Sequence, residues 1–329
     1  MPKLLRTLLL LLPAGLALSA CSATSGGSAA PPIANAPGAN FPSHSARKSW
    51  ISPAAKTQPI LYVANFDTST VYIYAQKGKN QAPIGQLTGL NHPSGLYVTK
   101  SGDLYVANTD SADVPVFHRG ATTPFEVLND FYNDRGGTPF DVAVDQKGTA
   151  YVANALTSAT LPGNIAVFAF GNTDPTALLT DPNYTSAVGV ATDNKNNVFG
   201  CFQQSFQNGP FLVDEFPAGS TTPKNLGLNI QSCFGLRIDP KQNLVNPDSA
   251  VPQVEIFKPG ATTPSSTFAK TGYPLFVALT KNAKRIYVSE YDGVVNEYTY
   301  PQGKFVDAIT NGLAGYHVYG VATDPSPKT

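Results

Sequence analysis

The five residues Leu61-Tyr-Val-Ala-Asn65 recur letter for letter at Leu104-Tyr-Val-Ala-Asn108, and Ala150-Tyr-Val-Ala-Asn154 follows with one change. The copies begin 43 and 46 residues apart. A short run of Tyr, Val and small apolar residues that ends in Asn is typical of a buried strand whose last residue caps a turn. We therefore interpret each copy as one β-strand of a repeated unit.

A second apolar segment precedes each copy, and a polar turn joins the two. Equivalent positions in these preceding segments are spaced by 46, 48, 46, 41 and 44 residues. These register positions are Gly95, Asp141, Gly189, Gly235, Phe276 and Gly320. A third and a fourth strand follow each pair, and the turn before the fourth recurs as Gly120-Ala-Thr-Thr-Pro and Gly260-Ala-Thr-Thr-Pro. This is the period of a four-stranded propeller blade.

The folded body begins with the second strand of a unit, at Leu61, and ends with an unpaired first strand over residues 318–324. We expect that last strand to become the innermost strand of the N-terminal blade, because closure removes the exposed sheet edges. The sequence thus predicts an all-β fold, a six-bladed β-propeller of four-stranded antiparallel blades.

The stretches Pro93-Ser-Gly-Leu-Tyr-Val and Gly102-Asp-Leu-Tyr-Val-Ala-Asn, followed by Val114-Pro-Val-Phe, resemble the NHL repeat. The resemblance covers residues 60 to 324 and extends to the exported sugar-lactonase-like and lyase-like propellers. The resemblance to the lactonase-like group implies a divalent cation held by Glu, Asn and Asp side chains, for which Asp248, Glu290 and Asn154 are candidates. The resemblance to the lyase-like group implies a functional histidine near the channel. The local motifs around the cation ligands of the lactonase-like group are not found in this sequence.

The N-terminus has a cationic start, an apolar run and a small-residue end, which is typical of a secretory signal. Its end, Leu18-Ser-Ala-Cys21, resembles a bacterial lipoprotein signal. We therefore expect residues 1–20 to be a signal peptide, Cys21 to be lipidated, and residues 21–49, rich in Ser, Gly, Ala and Pro, to be a flexible tether. The propeller would occupy residues 50–329, outside the cytoplasmic membrane and anchored by the lipid.

The charge balance argues against nucleic acid as a partner. The chain has 22 basic and 22 acidic residues, and removing Lys3 and Arg6 with the signal leaves 20 against 22. Only 13% of residues are charged and none form a basic cluster. The expected partners are the membrane, through the N-terminal lipid, and an envelope protein or small ligand.

The loops between blades and the turns after the second strands share one face of a propeller, and polar residues recur there. His92 and His317 stand three positions before the register residues of two adjacent blades, and Tyr273 has the same place in another blade. Asn154, Asp248 and Glu290 end second strands, whereas Asp141 and Arg237 depart from the small residues usual at their positions. The candidate site is therefore His92, His317, Asp141, Arg237, Tyr273, Glu290, Asp248 and Asn154.

Two interpretations of this face remain open. The polar residues could satisfy backbone groups around a water-filled channel. Alternatively, His92 and His317 could form a binding or acid–base pair, because histidine titrates near neutral pH and also binds metals. A dry channel filled by Tyr273, Phe202 and Phe276 would instead favour a scaffold.

Cys201 and Cys233 are the two cysteines left after Cys21. Cys201 ends a second strand and Cys233 begins the next first strand, on the same face. Either a disulfide or two buried thiols fits this placement in an exported protein.

The functional prediction is a lipid-anchored propeller that acts as a binding or scaffold module at the cell envelope. The alternatives are a lactonase-like hydrolase or a lyase acting at the face with His92 and His317, and a purely structural envelope protein.

Overall fold

The computed structural model describes residues 48–132, 135–158, 161–205, 208–268 and 272–327. Six antiparallel sheets follow one another around a ring, each arranged as a meander from its inner to its outer strand. The fold prediction is confirmed. The predicted signal peptide, Cys21 and most of the predicted tether lie outside the described residues.

Blade 1 closes the ring as the sequence predicted. Its innermost strand is the C-terminal Val318–Asp324, which pairs antiparallel with Ile60–Asn65. Thr70–Ala75 and Gly85–Leu87 follow outward, and Trp50–Ile51 adds a fifth, outermost strand. Trp50 pairs with Gln86 and is 45% exposed, so it joins the body as a surface residue.

The other five blades each contain four strands. From the inner to the outer strand, blade 2 contains Pro93–Val98, Leu104–Asn108, Asp113–Phe117 and Glu126–Asn129, and blade 3 contains Pro139–Val144, Ala150–Ser158, Leu161–Phe168 and Ala177–Leu179. Blade 4 contains Ser186–Thr192, Val198–Ser205, Asn208–Phe216 and Lys224–Asn225, and blade 5 contains Arg237–Ile238, Leu244–Asp248, Gln253–Phe257 and Ser266–Phe268. Blade 6 contains Pro274–Leu279, Arg285–Glu290, Val294–Thr299 and Phe305–Ile309.

Helical structure is confined to short 3₁₀ segments in the described part of the chain. These are Pro53–Lys56 and Thr109–Ser111. An additional hairpin, Phe131–Tyr132 with Arg135–Gly136, lies between blades 2 and 3. None of the described helices has the length and apolar character needed to cross a membrane.

The repeated pentapeptide forms second strands, as predicted. All residues of Ile60–Asn65 are buried, as are four of the five in Leu104–Asn108. The side chain of Asn65 caps the following turn, since its Oδ1 accepts a hydrogen bond from the amide of Thr68 at 3.0 Å. Apolar residues on both faces of these strands pack against the neighbouring blades, which places the core between blades.

The glycines of the register positions lie where neighbouring inner strands approach most closely. A Cβ on Gly189 would lie 1.7 Å from the carbonyl oxygen of Phe234, and one on Gly320 would lie 2.1 Å from that of Ser94. Side chains are therefore excluded there by backbone contact between adjacent blades. Asp141 and Phe276 occupy the same register in blades 3 and 6, and both are fully buried.

Candidate functional site

Aromatic rings fill the centre of the channel. Phe140 of blade 3 lies 5.9 Å, centroid to centroid, from both Phe276 of blade 6 and Tyr319 of blade 1. It also lies 6.0 Å from Phe234 of blade 5. These blades are not neighbours of blade 3, so the contacts cross the ring axis. The channel is therefore closed by packed rings at this level, not filled with water.

The filling differs from the expected one. Phe276 is in the channel, but Phe202 packs against Phe216 at 6.1 Å within blade 4. Tyr273 is half-buried and its ring lies 6.2 Å from that of Tyr291. Second-strand residues such as Phe202 face the gap between blades, whereas only inner-strand residues reach the axis.

Local backbone irregularities explain which residues point inward. The inner strands of blades 3 and 4 shift register between Pro139 and Asp141 and between Ala187 and Gly189. Such a bulge turns successive side chains towards the same side. In three blades the residue one position before the register enters the channel and is aromatic, namely Phe140, Phe234 and Tyr319. In blade 6 the register residue itself, Phe276, does so.

Asp141 and Arg237, two of the candidate site residues, lie inside the channel and pair with each other. The Arg237 guanidinium donates from Nη1 to Asp141 Oδ2 at 2.8 Å and from Nη2 to Oδ1 at 3.1 Å. Nη2 also donates to the carbonyl of Leu96 at 2.9 Å. The carboxylate further accepts the amides of Val142 at 2.9 Å and Val190 at 3.1 Å.

This ion pair connects the inner strands of blades 2, 3, 4 and 5. Asp141 is fully buried and the Arg237 side chain is 11% exposed. Burial raises the pKa of the Asp141 carboxyl above its ordinary value, and the Arg237 guanidinium and the hydrogen bonds offset part of that rise. A buried, bidentate pair whose two groups also bond to the backbone of other blades is suited to holding the blades together.

The channel has a cavity towards the face opposite the histidines. There a cavity of about 60 Å³ is lined by small residues of three blades, Ala191, Ala278 and Ala322, with Arg237 among its lining residues. Ser326 and Pro327 of the C-terminal segment also line it. A space of this size holds little more than a few water molecules.

His92 lies on the predicted face and pairs with a carboxylate of its own blade. Its Nδ1 lies 2.6 Å from Asp110 Oδ2. Its ring stacks on that of Phe66, with centroids 4.5 Å apart. The residue has a positive φ of 52°, and its amide donates to Ser69 Oγ at 3.2 Å.

His317 repeats this arrangement in blade 1. Its Nδ1 lies 3.0 Å from Asp67 Oδ1, and its amide donates to Oδ2 of the same carboxylate at 2.8 Å. Its ring stacks on Tyr291 at 4.1 Å.

The two histidines lie at the ends of a run of contacting rings. The rings follow in the order His92, Phe66, Tyr319, Tyr291 and His317, with neighbouring centroids 4.1 to 6.1 Å apart. The site thus consists of two separate His–Asp pairs, and the expected acid–base partnership between the histidines stays a prediction.

Glu290 is fully buried at the end of its second strand. Its Oε1 accepts a hydrogen bond from Asn296 Nδ2 at 3.2 Å. The backbone of Tyr273 also donates to this carboxyl group. Burial raises the pKa of Glu290 to about 8, because the charged form loses its solvation.

Asn154 belongs to a second buried cluster, in blade 3. Its Nδ2 donates to Asp130 Oδ1 at 3.3 Å and to Asn164 Oδ1 at 3.2 Å. Burial raises the pKa of Asp130 to about 7. Asp130 Oδ2 and Asn154 Oδ1 both lie within 2.4 Å of the point where a Cβ on Gly137 would be, and neither has a partner within the described structure.

Asp248 has a capping role. Its Oδ1 accepts from Ser232 Oγ at 2.8 Å and from the amide of Ala250 at 3.0 Å, while Oδ2 accepts the amide of Gln231 at 2.8 Å. The carboxylate is fully buried. These bonds tie the loop before blade 5 to the end of its second strand.

The three oxygen-bearing residues suggested as cation ligands do not form a common site. Asn154, Asp248 and Glu290 lie in blades 3, 5 and 6, and each has its own partners. Across the described ranges, no three His, Cys, Asp or Glu side chains are grouped so as to hold a metal ion. The residues present therefore do not fit the lactonase-like cation site.

Cys201 and Cys233 form a disulfide, which decides between the two alternatives left by the sequence. Their Cα atoms are 5.9 Å apart and their sequence separation is 32 residues. The bond joins blade 4 to the strand entering blade 5.

Sequence reasoning missed the carboxylates that pair with the histidines, although a signal for them exists. Asp67 and Asp110 both stand two residues after the final Asn of a pentapeptide copy. In blades 1 and 2, therefore, a histidine just before the inner strand occurs together with the pattern Asn-x-Asp at the end of the second strand. Asp130 had no such signal, because it lies in the insertion between blades.

Comparisons with known proteins support the fold alone. No family model matches the sequence, and no curated protein matches it either. A functionally unknown protein from Desulfotomaculum acetoxidans is similar in structure, with a TM-score of 0.54, 14% identity, and coverage of 78% of this chain and 81% of that one. Kuenenia stuttgartiensis hydrazine synthase has a TM-score of 0.55 at 15% identity, covering 81% and 83%.

Proposed function

We propose that this chain is an exported, lipid-anchored β-propeller, related to the NHL-repeat and sugar-lactonase-like group, that acts as a binding or scaffold module at the cell envelope. The closed channel carries this proposal. Phe140, Phe276 and Tyr319 meet across the axis, and Arg237 is held by Asp141 beneath them. A propeller closed in this way presents its outer surfaces, not its centre, to a partner.

The anchoring part of the proposal is tested by acylation and fractionation. Cells expressing the full chain would be grown with radiolabelled palmitate, beside cells expressing Cys21→Ser. We expect label and membrane association for the parent and no label for the variant, because the thiol is the acyl acceptor. Label on the variant, or an unlabelled parent in the soluble fraction, would contradict anchoring through Cys21.

A hydrolase or lyase is the second candidate, and the two His–Asp pairs favour it. The pairs His92–Asp110 and His317–Asp67 lie on the same face and have Nδ1–carboxylate distances of 2.6 and 3.0 Å. A carboxylate on Nδ1 fixes the orientation of the imidazole, as general acid–base catalysis requires.

A screen of lactones and uronate-containing saccharides separates these candidates. Turnover by the parent that His92→Gln and His317→Gln both reduce at least about 100-fold would establish the enzyme, since general acid–base groups contribute that much. No turnover, or turnover unchanged by both substitutions, would leave the binding function as the better account of the face.

A further inference from the structure

A groove of about 590 Å³ opens between blades 4 and 5, on the face opposite the histidines. One wall comes from the turn 193–197 and from residues 224–228 of blade 4. The other comes from residues 241–244 and 257–261 of blade 5. The volume falls within the range of small-molecule sites in proteins.

Two shortened strands create the groove. The outer strand of blade 4 is only Lys224–Asn225, and the inner strand of blade 5 is only Arg237–Ile238. Two hydrogen bonds tie the walls: Asn194 N donates to Gln242 Oε1 at 3.0 Å, and Asn229 N donates to Thr262 O at 2.8 Å. The walls of the groove are thus tied to each other by these two bonds while the space between them stays open.

The floor of the groove is apolar. Phe199, Leu226 and Leu228 are half-buried and line it. Ile238, Leu244 and Phe257, which are buried, complete the lining.

Phe199 replaces a residue that is polar in a neighbouring copy of the repeat. The corresponding Tyr151 of blade 3 donates its hydroxyl to Asp145 Oδ2 at 3.3 Å. Phe199 has no such group, so at this position blade 4 contributes only apolar surface. Apolar side chains left half-exposed in a concave site mark a place where an apolar ligand can bind.

Four exposed lysines line the groove, namely Lys195, Lys224, Lys241 and Lys258. Two carboxylates face them. Asp193 Oδ1 accepts the amides of Lys195 and Asn197, both at 2.8 Å, and Glu215 pairs with Lys224 at 3.4 Å. Within the described chain, this is the only ion pair that a lysine of the groove makes, so the groove carries net positive charge.

We propose that this groove binds an amphipathic carboxylate with a single acyl chain. Four large aliphatic residues line the groove, which suits a hydrocarbon chain: Leu226, Leu228, Ile238 and Leu244. Lys195, Lys241 and Lys258 complement the carboxylate, since charge-assisted hydrogen bonds are stronger than neutral ones. The site is independent of the anchoring proposed above.

The test is a calorimetric titration of sodium dodecanoate, below its critical micelle concentration, into the mature chain, residues 21–329, carrying Cys21→Ser. This chain lacks both the apolar signal peptide and the predicted acyl acceptor, so no detergent is needed. We expect saturable binding with one site per molecule and an affinity that falls with added salt, because salt screens the lysines. Dodecanol, the uncharged analogue, should bind at least about tenfold more weakly, since it lacks the charge-assisted bonds.

Two variants place the binding in the groove. The double variant Lys241→Gln, Lys258→Gln should weaken dodecanoate about tenfold or more, through loss of charge-assisted bonds. Leu228→Trp should abolish binding by filling the floor. Lys147→Gln is the matched control, because Lys147 lies in the equivalent turn of blade 3 and outside the groove lining; it should bind like the parent.

Several results would overturn the proposal. These are no saturable binding by the parent, equal binding of dodecanol and dodecanoate, or affinities that neither the lysine double variant nor Leu228→Trp changes. Circular dichroism checks that each variant is folded. If a variant is unfolded, the comparison of dodecanoate with dodecanol in the parent chain still decides.

Discussion

Asp141 and Glu290 are both fully buried carboxylates, one at the centre of the channel and one at its histidine-bearing face. Asp141 has a bidentate arginine and two backbone amides as donors. The donors to Glu290 are neutral, namely the side chain of Asn296 and the backbone of Tyr273.

The difference shows two ways in which a fold accommodates a buried acid. At the centre, the opposite charge is buried too, and the pair connects four blades. At the face, the fold favours the protonated form, so the pKa of Glu290 rises to about 8. The centre should therefore respond to loss of a partner, and the face should respond to pH.

Breaking the central pair should have the largest effect. Asp141→Ala leaves the Arg237 guanidinium without its carboxylate in a buried site, and we expect the free energy of unfolding to fall by about 3–5 kcal/mol. Urea denaturation measures this. The double variant Asp141→Ala, Arg237→Met should lose less than the sum of the two single losses, because it leaves no uncompensated charge. Additive losses would show that the two side chains act independently.

Adding a methyl group where inner strands touch should have the second-largest effect on stability. Gly189→Ala would direct a Cβ at the carbonyl of Phe234, and we expect a loss of about 3 kcal/mol from overpacking. Gly171→Ala is the control, because its Cβ meets nothing within 4 Å and only its φ of +81° opposes the change. It should cost about 1 kcal/mol. Thermal and urea unfolding measure both losses. If Gly189→Ala and Gly171→Ala lost the same free energy of unfolding, the close approach of the strands would not be what excludes a side chain at position 189.

The pH dependence of the free energy of unfolding should come from the histidine-bearing face. The folded pKa of Glu290, about 8, lies above its ordinary 4.5, so the folded chain binds more protons than the unfolded chain between these values. Its stabilising contribution is complete below pH 4 and is lost as pH rises through 8. Asp130, with a folded pKa of about 7, acts in the same direction.

We therefore expect the free energy of unfolding to decrease between pH 5 and pH 9. Glu290→Gln removes the titrating group and should flatten this slope by about 1–2 kcal/mol between pH 7 and pH 9, since each unit of pKa shift corresponds to about 1.4 kcal/mol. A slope that the substitution leaves unchanged would assign the pH dependence to other groups.

Removing a histidine from the face should have the smallest effect on stability. His92→Gln loses a partly exposed pair with Asp110 and a stacking contact with Phe66, so we expect about 1 kcal/mol or less. His317→Gln should behave alike, because its pairing with Asp67 is equivalent. Differential scanning calorimetry would detect the shift in Tm, and a loss above about 2 kcal/mol would show that these pairs hold blades together.

Much of the fold could be predicted because a propeller is a repeat of local units. The pentapeptide copies and their spacing determine the strands, the number of blades and the closure by residues 318–324. The disulfide was left as one of two alternatives, because sequence position places Cys201 and Cys233 on one face but does not give the distance between them.

The candidate site was less predictable. Asp141 and Arg237 were identified as departures from the repeat, but they face each other in the channel and not a ligand. Phe140, Phe234 and Tyr319 were missed, because a bulge decides which of two consecutive residues points to the axis. The groove between blades 4 and 5 depends on strands that end early there, which the repeat pattern alone does not show.

The sequence by itself determined the propeller and the positions of its two histidines on one face, since the period of the repeat reflects contacts within a blade and between adjacent blades. Only the tertiary structure decided how the channel is closed. Asp141 and Arg237 are 96 residues apart in the chain and lie in blades that are not neighbours. Their pairing and the meeting of the aromatic rings depend on bringing inner strands together across the axis, which happens only once the ring closes.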